Sequence, residues 1–281
     1  MDEYLMSLFP DEYAVQLQTY DAEPLEEIRM AAGQPLILRT ATQERLLWPK
    51  VSQPQLEELL QRACRHSAYA HAETLRQGYL SLEGGHRVGI CGTGVIQNGV
   101  VRNLTMPSSL VLRFARDVPG CADGLLSRCC GSMLLLGPPG SGKTTLLRDL
   151  VRQLSDQKRQ RVGLADERGE LSAAVSGVPQ LQVGRRTEVL LHIPKAEAVM
   201  MLLRTMNPQW IAMDEVTAPT DLEAMVQASY CGVHLLATAH GANLTDLYSR
   251  PLYRKLMETK VFSEIVLLHK AKTYTIEEVQ P

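Results

Sequence analysis

Residues 133–144 read MLLLGPPGSGKT, an apolar run joined directly to a glycine-rich loop. The run Met133–Leu136 has the length and composition of a buried strand. The pattern GxxxxGK[ST] follows at Gly137–Thr144, and a helical segment begins at Lys143. Glycines in such a loop let backbone N–H groups turn inward around phosphate oxygens, at a helix N-terminus whose dipole favours anions. The stretch therefore predicts a strand, a phosphate-binding loop and a helix in succession.

The phosphate-binding prediction covers the whole loop and the start of the helix. Its residues are Gly137, Pro138, Pro139, Gly140, Ser141, Gly142, Lys143, Thr144 and Thr145. In this pattern the Lys143 ammonium reaches the terminal phosphates, and the Thr144 hydroxyl can ligate Mg²⁺. The expected ligands are therefore a nucleotide and Mg²⁺, and the loop alone leaves the choice of base open.

Two adjacent carboxylates end a second apolar run, WIAMDE at Trp210–Glu215. A phosphate-binding loop needs an acid from another strand end to hold the metal, and Asp214 is expected to do so, through water. Glu215 then remains free to orient or deprotonate the attacking water. The pair predicts a metal ligand and a catalytic base side by side.

Two more apolar runs end in polar residues. RVGLADERGE places Asp166, Glu167 and Arg168 after a strand, and VHLLATAHG does the same for Thr238 and His240. Ligands bind at the carboxyl ends of the strands in an open parallel sheet, so these residues are candidates for the same site. We expect Asp166 to be a further metal ligand, and Glu167 and His240 to be catalytic. For His240 a packing or capping role remains an alternative to phosphate sensing.

The chain divides into two halves of different texture. Residues 1–116 mix β-rich pieces with one predicted helix, Gln53–Ala72, and indicate a smaller α+β domain. Asn98-Gly99 predicts a hairpin turn, because both residues tolerate the positive φ of a tight turn. Turn-rich residues 117–126 are the predicted linker. In residues 127–281 strands alternate with helices, including a long helical region before WIAMD, which predicts an α/β fold with a parallel sheet.

Composition excludes several classes of protein. The 29 Lys and Arg and 31 Asp and Glu give a formal net charge of −2, so no broad basic surface indicates nucleic acid. The six cysteines form no CxxC pair, which disfavours a zinc site and a disulfide framework and favours a reducing cytosol. The first residues lack the basic flank and apolar core of a secretory signal, and no apolar run is long enough to span a membrane.

With these motifs in order, the second half resembles the additional-strand P-loop ATPases of the secretion superfamily, which includes the motors of type II and type IV secretion, pilus retraction and conjugation. GPPGSGKTT resembles their Walker A motif, ADERGE the Asp box, IAMDE the Walker B motif and ATAHG the His box. The first half, with EEIRMAAGQPLILRT and SSLVLRFAR, is similar to the superfamily's N-terminal sensor-like domain. The resemblance implies a RecA-like ATPase domain and ATP as the nucleotide. It also implies a homo-oligomer with six subunits, a hexamer.

Within the superfamily, the whole chain is most similar to members from endospore-forming bacteria. ADERGELSA, VGRRTEVLLHIPKAEAVMMLLRTMNPQWIAMDE and CGVHLLATAHG carry this resemblance. It implies a cytoplasmic ATPase that serves a membrane-embedded channel complex between mother cell and forespore, and that reaches the membrane through partner proteins. Two departures concern the Walker B motif: Asp214 replaces the glycine usual in secretion motors, and the segment after Glu215 lacks their arginine and has no glycine near Thr217.

Hydrolysis in such motors is normally completed by an arginine that stabilises charge on the γ-phosphate. The candidates are Arg87, Arg102, Arg113, Arg185, Arg186 and Arg204. The resemblance favours Arg102, Arg113 and Arg204, in the same chain or across a subunit interface.

Two other functions are compatible with the phosphate loop. One is a RecA-like nucleic-acid translocase, which the balanced charge and the three Phe and two Trp disfavour. The other is a scaffold that binds ATP without hydrolysing it. Replacement of Glu215 by Gln distinguishes the scaffold from an ATPase, and retention on single-stranded DNA tests the translocase.

Overall fold

The computed structural model describes residues 3–20, 23–64, 72–269 and 273–279. These residues group into two compact units, Met1–Arg116 and Asp117–Pro281. One buried apolar cluster belongs to the first unit and two belong to the second, so each unit has a core of its own. Independent folding of the two units as domains stays a prediction.

The N-terminal unit combines short helices with one antiparallel sheet. Its elements are α1 (Glu3–Leu8), α2 (Asp11–Gln18), β1 (Glu27–Ala31), β2 (Pro35–Arg39), β3 (Glu44–Lys50), α3 (Gln53–Ala63), α4 (Ala72–Arg76), β4 (Tyr79–Ser81), β5 (Arg87–Gln97) and β6 (Val100–Arg113). The strands lie in the order β3-β2-β1-β6-β5-β4, with every neighbouring pair antiparallel. Alternate residues such as Ile28, Met30, Leu36 and Leu38 are buried, which is the pattern of a sheet with one covered face.

Two local predictions in this unit have different outcomes. The hairpin is confirmed: Gln97 pairs with Val100, and Asn98 and Gly99 have φ values of 53° and 74°. The predicted helix Gln53–Ala72 is too long, since α3 ends at Ala63 with Cys64 as its C-cap. Residues 65–71 of that prediction lie outside the described residues. Helix α3 begins where Ser52 and Gln55 form a capping box and Pro54 occupies the first turn.

The C-terminal unit alternates strands and helices. Its elements are α5 (Asp123–Leu126), β7 (Met133–Gly137), α6 (Lys143–Asp156), β8 (Val162–Asp166), β9 (Thr187–Leu191), α7 (Lys195–Thr205), β10 (Trp210–Met213), α8 (Pro219–Tyr230), β11 (His234–His240), α9 (Leu244–Ser249), α10 (Pro251–Glu258), β12 (Glu264–Leu268) and β13 (Tyr274–Glu278). None of the helices in the described parts of the chain is long and apolar enough to cross a bilayer.

The strands of this unit form one sheet in the order β13-β12-β7-β11-β10-β8-β9. All pairings are parallel except β12 with β13, which confirms the α/β prediction. Strand β11 lies between β7, which leads into the phosphate loop, and β10, which leads into Asp214. The additional strand implied by the resemblance is therefore present.

Two apolar clusters cover the two faces of this sheet. Leu134 and Leu136 of β7 belong to one cluster, whereas Met133 and Leu135 belong to the other. The first cluster includes side chains of α7, α8 and α10, and the second includes side chains of α6. Central strands buried on both faces have continuous apolar sequences, which is why β7 and β10 could be predicted from composition alone.

The prediction of a long helical region between β8 and β10 is wrong. The chain instead forms a loop, the edge strand β9 and the shorter helix α7. Strand β9 pairs only with β8 among the described strands, and each of its residues is half-buried. A short edge strand of this kind carries no alternating pattern of apolar residues, so its sequence TEVLL did not indicate a strand.

Candidate active site

The phosphate loop connects the buried end of β7 to the start of α6. Gly140 and Gly142 have φ values of 74° and 94°, which glycine adopts without the steric cost of a side chain. A Cβ built on either glycine would meet no atom within 4 Å, so open space lies next to both. The Ser141 hydroxyl is buried and has no hydrogen-bond partner among the described residues. Open space and an unused hydroxyl fit a loop that receives an anion.

The Lys143 side chain is folded back into this loop. Its ammonium donates to the carbonyl oxygens of Gly137 (2.9 Å) and Pro138 (3.0 Å) and lies 3.1 Å from Nδ1 of His240. Burial lowers the pKa of Lys143, and the charges of Asp214 and Glu215 partly oppose that shift. A buried cation held mainly by neutral partners is available to an incoming phosphate.

The Asp214 carboxylate lies directly across from the start of α6. The hydroxyl of Thr144 donates to its Oδ2 at 2.9 Å, and the hydroxyl of Thr238 donates to its Oδ1 at 2.5 Å. Thr144 and Asp214 are the predicted metal-binding pair, and a hydroxyl beside a carboxylate is a donor set that suits Mg²⁺. The two residues therefore fit a magnesium ion.

Glu215 follows β10 and contacts residues at the ends of β8 and β11. Its backbone has φ of 45°, outside the usual region for a residue with a side chain, and its N–H donates to Oγ1 of Thr238 at 2.8 Å. Its carboxylate oxygens lie 3.3 Å from Nε2 of His240 and 3.4 Å from a guanidinium nitrogen of Arg168. In the tautomer with the proton on Nε2, His240 accepts from Lys143 and donates to Glu215. A chain of contacts then connects the phosphate loop to the candidate base.

Asp166 is placed at the end of β8 but has local partners. Its carboxylate accepts from the backbone N–H of Leu171 (3.1 Å) and from the N–H and hydroxyl of Ser172 (2.8 and 2.7 Å). Asp166 therefore fixes the loop that carries Glu167. The assignment of Asp166 as a metal ligand stays a prediction, and it would require the carboxylate to share oxygens already bonded to this loop.

Glu167 contacts a buried cation that the sequence did not single out. Its Oε2 lies 2.5 Å from Nζ of Lys195, and the same ammonium lies 4.0 Å from Oδ2 of Asp221. Glu167, Lys195 and Glu215 line one small cleft, whose other walls are Asp166, Arg168, Glu170, Asp214 and Thr217. The structure thus brings together the predicted residues of the four strand ends and adds Lys195.

Neither Arg113 nor Arg204 is among the described residues that line this cleft. Arg113 ends β6 and lies 3.5 Å from Glu27, within the N-terminal unit. Arg204 is exposed in the last turn of α7, whose first turn is at the cleft. Arg204 lies nine positions after Lys195, which is about 13.5 Å along the helix axis at 1.5 Å per residue. Arg204 therefore lies at the end of α7 that is far from the cleft, and its catalytic role stays a prediction.

Sequence reasoning noted Thr238 as a polar strand end but did not assign it a role. The structure shows that this fully buried hydroxyl donates to the carboxylate of Asp214 and accepts from the backbone N–H of Glu215. Its signal in the sequence is a threonine inside the apolar run HLLATAH. For Lys195 the signal is weaker: a cation in the first turn of a helix, where the dipole disfavours it.

A family model described as sporulation stage III, protein AA, matches residues 13–279. The chain belongs to this family. It is 36% identical over 256 residues to the stage III sporulation protein AA of Bacillus subtilis (strain 168), which covers 88% of this chain and 83% of that protein. Both the family model and the relative extend over the two units, so membership does not rest on the phosphate loop alone.

Two solved structures are similar to this chain in fold. The ATPase DotB of Legionella pneumophila superposes with a TM-score of 0.59, covering 86% of this chain and 72% of that one at 16% identity. The pilus retraction motor PilT with bound ADP gives a TM-score of 0.57, covering 86% and 74% at 17% identity. The C-terminal unit therefore has a RecA-like P-loop fold, and the N-terminal unit is α+β.

Proposed function

We propose that this member of the sporulation stage III protein AA family is a Mg²⁺-dependent ATPase that drives conformational change in a membrane channel or secretion-like apparatus during endospore formation. One observation carries the enzymatic part of the proposal. Thr144 contacts Asp214, and Lys143 contacts His240, which in turn contacts Glu215, at one edge of one sheet. Phosphate binding, metal binding and activation of water would all take place within that set.

Nucleotide binding falls to the loop Gly137–Thr145. Its backbone amides surround the phosphates, and Lys143 exchanges the Gly137 and Pro138 carbonyls for phosphate oxygens. Because burial has already lowered the pKa of Lys143, a phosphate is a better partner for the protonated ammonium than the carbonyls are. ATP is the proposed nucleotide because DotB, a structural neighbour, is named an ATPase and PilT has bound ADP.

Metal binding falls to Thr144 and Asp214, with Asp166 as a further candidate. A bound Mg²⁺ supplies neutralisation of charge on the phosphate oxygens. Thr238 holds Oδ1 of Asp214, so the other oxygen keeps a fixed direction toward Thr144. The chain therefore presents the metal with a preorganised hydroxyl and carboxylate.

Water activation falls to Glu215, assisted by His240 and Glu167. When Lys143 turns to the phosphates, His240 loses its partner at Nδ1, and its contact with Glu215 becomes free to change. Occupation of the phosphate loop is thereby communicated to the base. This device gives His240 a sensing role in place of a purely packing one.

Assembly into a homo-oligomer, a hexamer, would bring a second arginine to the cleft, which already contains Arg168 of its own chain. Arg113 or Arg204 of a neighbouring subunit, or Arg113 of the same chain, would stabilise charge on the γ-phosphate. The protein acts in the cytoplasm and reaches the membrane through channel or export proteins. PilT, a pilus retraction motor, shares its fold, which supports work on a membrane apparatus and not on nucleic acid.

The test is Glu215→Gln, matched by the same change at Glu223, an exposed residue of α8. Glu215→Gln should lower the ATPase rate by on the order of a hundredfold or more while retaining MgATP binding. Glu223→Gln should leave the rate unchanged. A rate in Glu215→Gln close to the parent's would exclude Glu215 as the base, and absence of turnover in the parent at every degree of assembly would favour the scaffold.

Sedimentation measured alongside activity tests the assembly. If an arginine acts between subunits, activity per subunit should rise as the protein concentration drives oligomer formation. A flat value across the assembly transition contradicts that part of the proposal. Salt-dependent retention on single-stranded DNA would instead indicate a translocase.

A further inference from the structure

Lys195 is buried at a place where a cation is unfavourable. It is the first residue of α7, it follows Pro194, and only 7% of it is exposed. The N-terminus of a helix carries partial positive charge, so an ammonium there is repelled. Burial adds the cost of removing the charge from water. A lysine at this position therefore depends on specific partners.

Those partners lie after two different strands, one in the loop after β8 and one in the first turn of α8. Glu167, at 2.5 Å, is the residue that follows β8. Asp221, at 4.0 Å, belongs to the first turn of α8. Both carboxylates face one ammonium, so the cation lies between the loop after β8 and the first turn of α8.

Asp221 extends this connection to the segment that follows the candidate base. Its Oδ2 accepts from the backbone N–H groups of Thr217 and Ala218, at 3.0 Å each. The backbone N–H of Val216, the residue before Thr217, donates to the carbonyl oxygen of Thr238 at 2.9 Å. Hydrogen bonds therefore fix the backbone of all three residues of segment 216–218, and the Asp221 side chain accepts those of the last two.

We infer that Lys195 is a positioning residue, whose ammonium fixes the Glu167 carboxylate and the loop after Glu215 relative to each other. It acts through the Glu167 carboxylate and through the segment after Glu215. Glu167, Lys195, Glu215 and Thr217 line the same cleft, so a shift in either loop changes the shape of that cleft. The effect on turnover rests on the proposed function, whereas the connection between the loops does not.

A role in packing alone does not account for the lysine. A methionine has similar length and would fill the position without a charge to desolvate. A buried ion pair often contributes less stability than apolar residues of the same volume. The ion pair instead fixes the relative positions of two carboxylates, because the ammonium must face Glu167 and Asp221 at the same time.

The first experiment measures amide hydrogen exchange in Lys195→Met, with Lys255→Met as the matched control. Lys255 is exposed on α10 and is not one of the residues that line the cleft. Lys195→Met should raise exchange about tenfold or more both in segment 167–171 and in segment 215–221, with segment 137–144 unchanged. Lys255→Met should resemble the parent. A rise in only one of the two loops, or in neither, would overturn the inference.

The second experiment separates nucleotide affinity from turnover. Lys195→Met should lower kcat by on the order of tenfold to a hundredfold, since small misplacements have effects of this size, and should change the Kd for nucleotide less than about threefold. Combination with Glu167→Gln should lose no more than the worse single variant, because both changes break one contact. Additive losses would mean separate roles and would count against the inference.

Glu167→Gln also covers the case in which Lys195→Met does not fold, because Glu167 is partly exposed and its neutral isostere creates no cavity. It should raise exchange in segment 167–171, and unchanged exchange there would overturn the inference. If the parent protein shows no ATPase activity, the proposed function fails while the exchange measurements still decide the role of Lys195.

Discussion

The two units differ in what they bury. All but one of the buried polar or charged residues in the described parts of the chain belong to the C-terminal unit, and the exception is Thr40. The N-terminal unit has an apolar core between helices and an antiparallel sheet, whereas the C-terminal unit places Lys143, Asp166 and Lys195 within its buried set. Buried polar groups carry a desolvation cost, so their concentration in one unit indicates where chemistry is positioned.

Because the two units differ in this way, substitutions in them should impair the protein by different routes. A change in the apolar core should remove stability from the N-terminal unit without altering the phosphate loop. A change in the polar network should alter nucleotide chemistry with little effect on packing. Changes in the two units should therefore have effects of different kinds as well as different sizes.

The largest expected effect is on stability, in Leu36→Ala. Leu36 is fully buried in β2, so its truncation leaves a cavity and should lower the free energy of unfolding by about 2–5 kcal/mol. Leu46→Ala in the neighbouring strand β3 is the control, because that side chain is 52% exposed and its loss should cost at most about 0.5 kcal/mol. Urea unfolding followed by circular dichroism measures both.

Nucleotide affinity sharpens this prediction. If the units are independent, Leu36→Ala should bind nucleotide as the parent does under conditions in which it is folded. A large loss of affinity in Leu36→Ala, with Leu46→Ala normal, would break the comparison by showing that the apolar unit sets the properties of the polar one.

A smaller effect, on turnover, is expected from Thr238. Thr238→Val keeps the shape but removes the hydroxyl that contacts Asp214 and the Glu215 backbone. The ATPase rate should fall about tenfold to a hundredfold, which corresponds to about 1.4–2.7 kcal/mol in the activation free energy. Thr238→Ser retains the hydroxyl and should recover most of the rate. Steady-state kinetics on the three proteins measures this, and equal rates for Val and Ser would remove Thr238 from the site.

The difference between the units also explains what could be predicted from the sequence. Asp214 and Lys143 were predictable because each belongs to a local pattern: an apolar strand followed by a fixed arrangement of glycine, lysine, threonine or acid. The partners of Lys195 were not, because Glu167 and Asp221 lie 28 and 26 residues along the chain from it and meet only after folding. Residues whose role depends on neighbours in the sequence could therefore be predicted, whereas residues whose partners are distant in the sequence could not.

The secondary-structure elements could likewise be predicted where the signal is local in the sequence. Strands β7 and β10 have continuous apolar sequences and central places in the sheet, so composition indicated them. The edge strand β9 was missed, since its half-buried residues owe their conformation to pairing with β8. The end of α3 at Ala63 was also missed, because the sequence after it contains neither glycine nor proline to mark a stop.

The smallest expected effect concerns Asp149, a buried acid of the C-terminal unit away from the cleft. It accepts from the Ala122 N–H (2.8 Å), from Arg152 (2.6 Å) and from Gln153 (2.8 Å). Burial alone would raise its pKa, but these donors outweigh burial and hold the pKa below 3.8. Asp149→Asn turns an amide toward donors and should cost about 1–2 kcal/mol near neutral pH.

The pH dependence of that cost distinguishes the charge from the shape of the side chain. A carboxyl whose folded pKa lies below its unfolded value contributes stability that is complete above the unfolded value of 3.8 and is lost as pH falls through the folded pKa. The difference in unfolding free energy between parent and Asp149→Asn should thus be constant from about pH 7 to pH 5 and shrink below about pH 4. Asp11→Asn, at an exposed acid of the N-terminal unit, should show a difference within about 0.5 kcal/mol near neutral pH. A cost for Asp149→Asn that stays constant down to the lowest pH at which both proteins fold would mean that this buried polar site is held by packing, as the N-terminal core is.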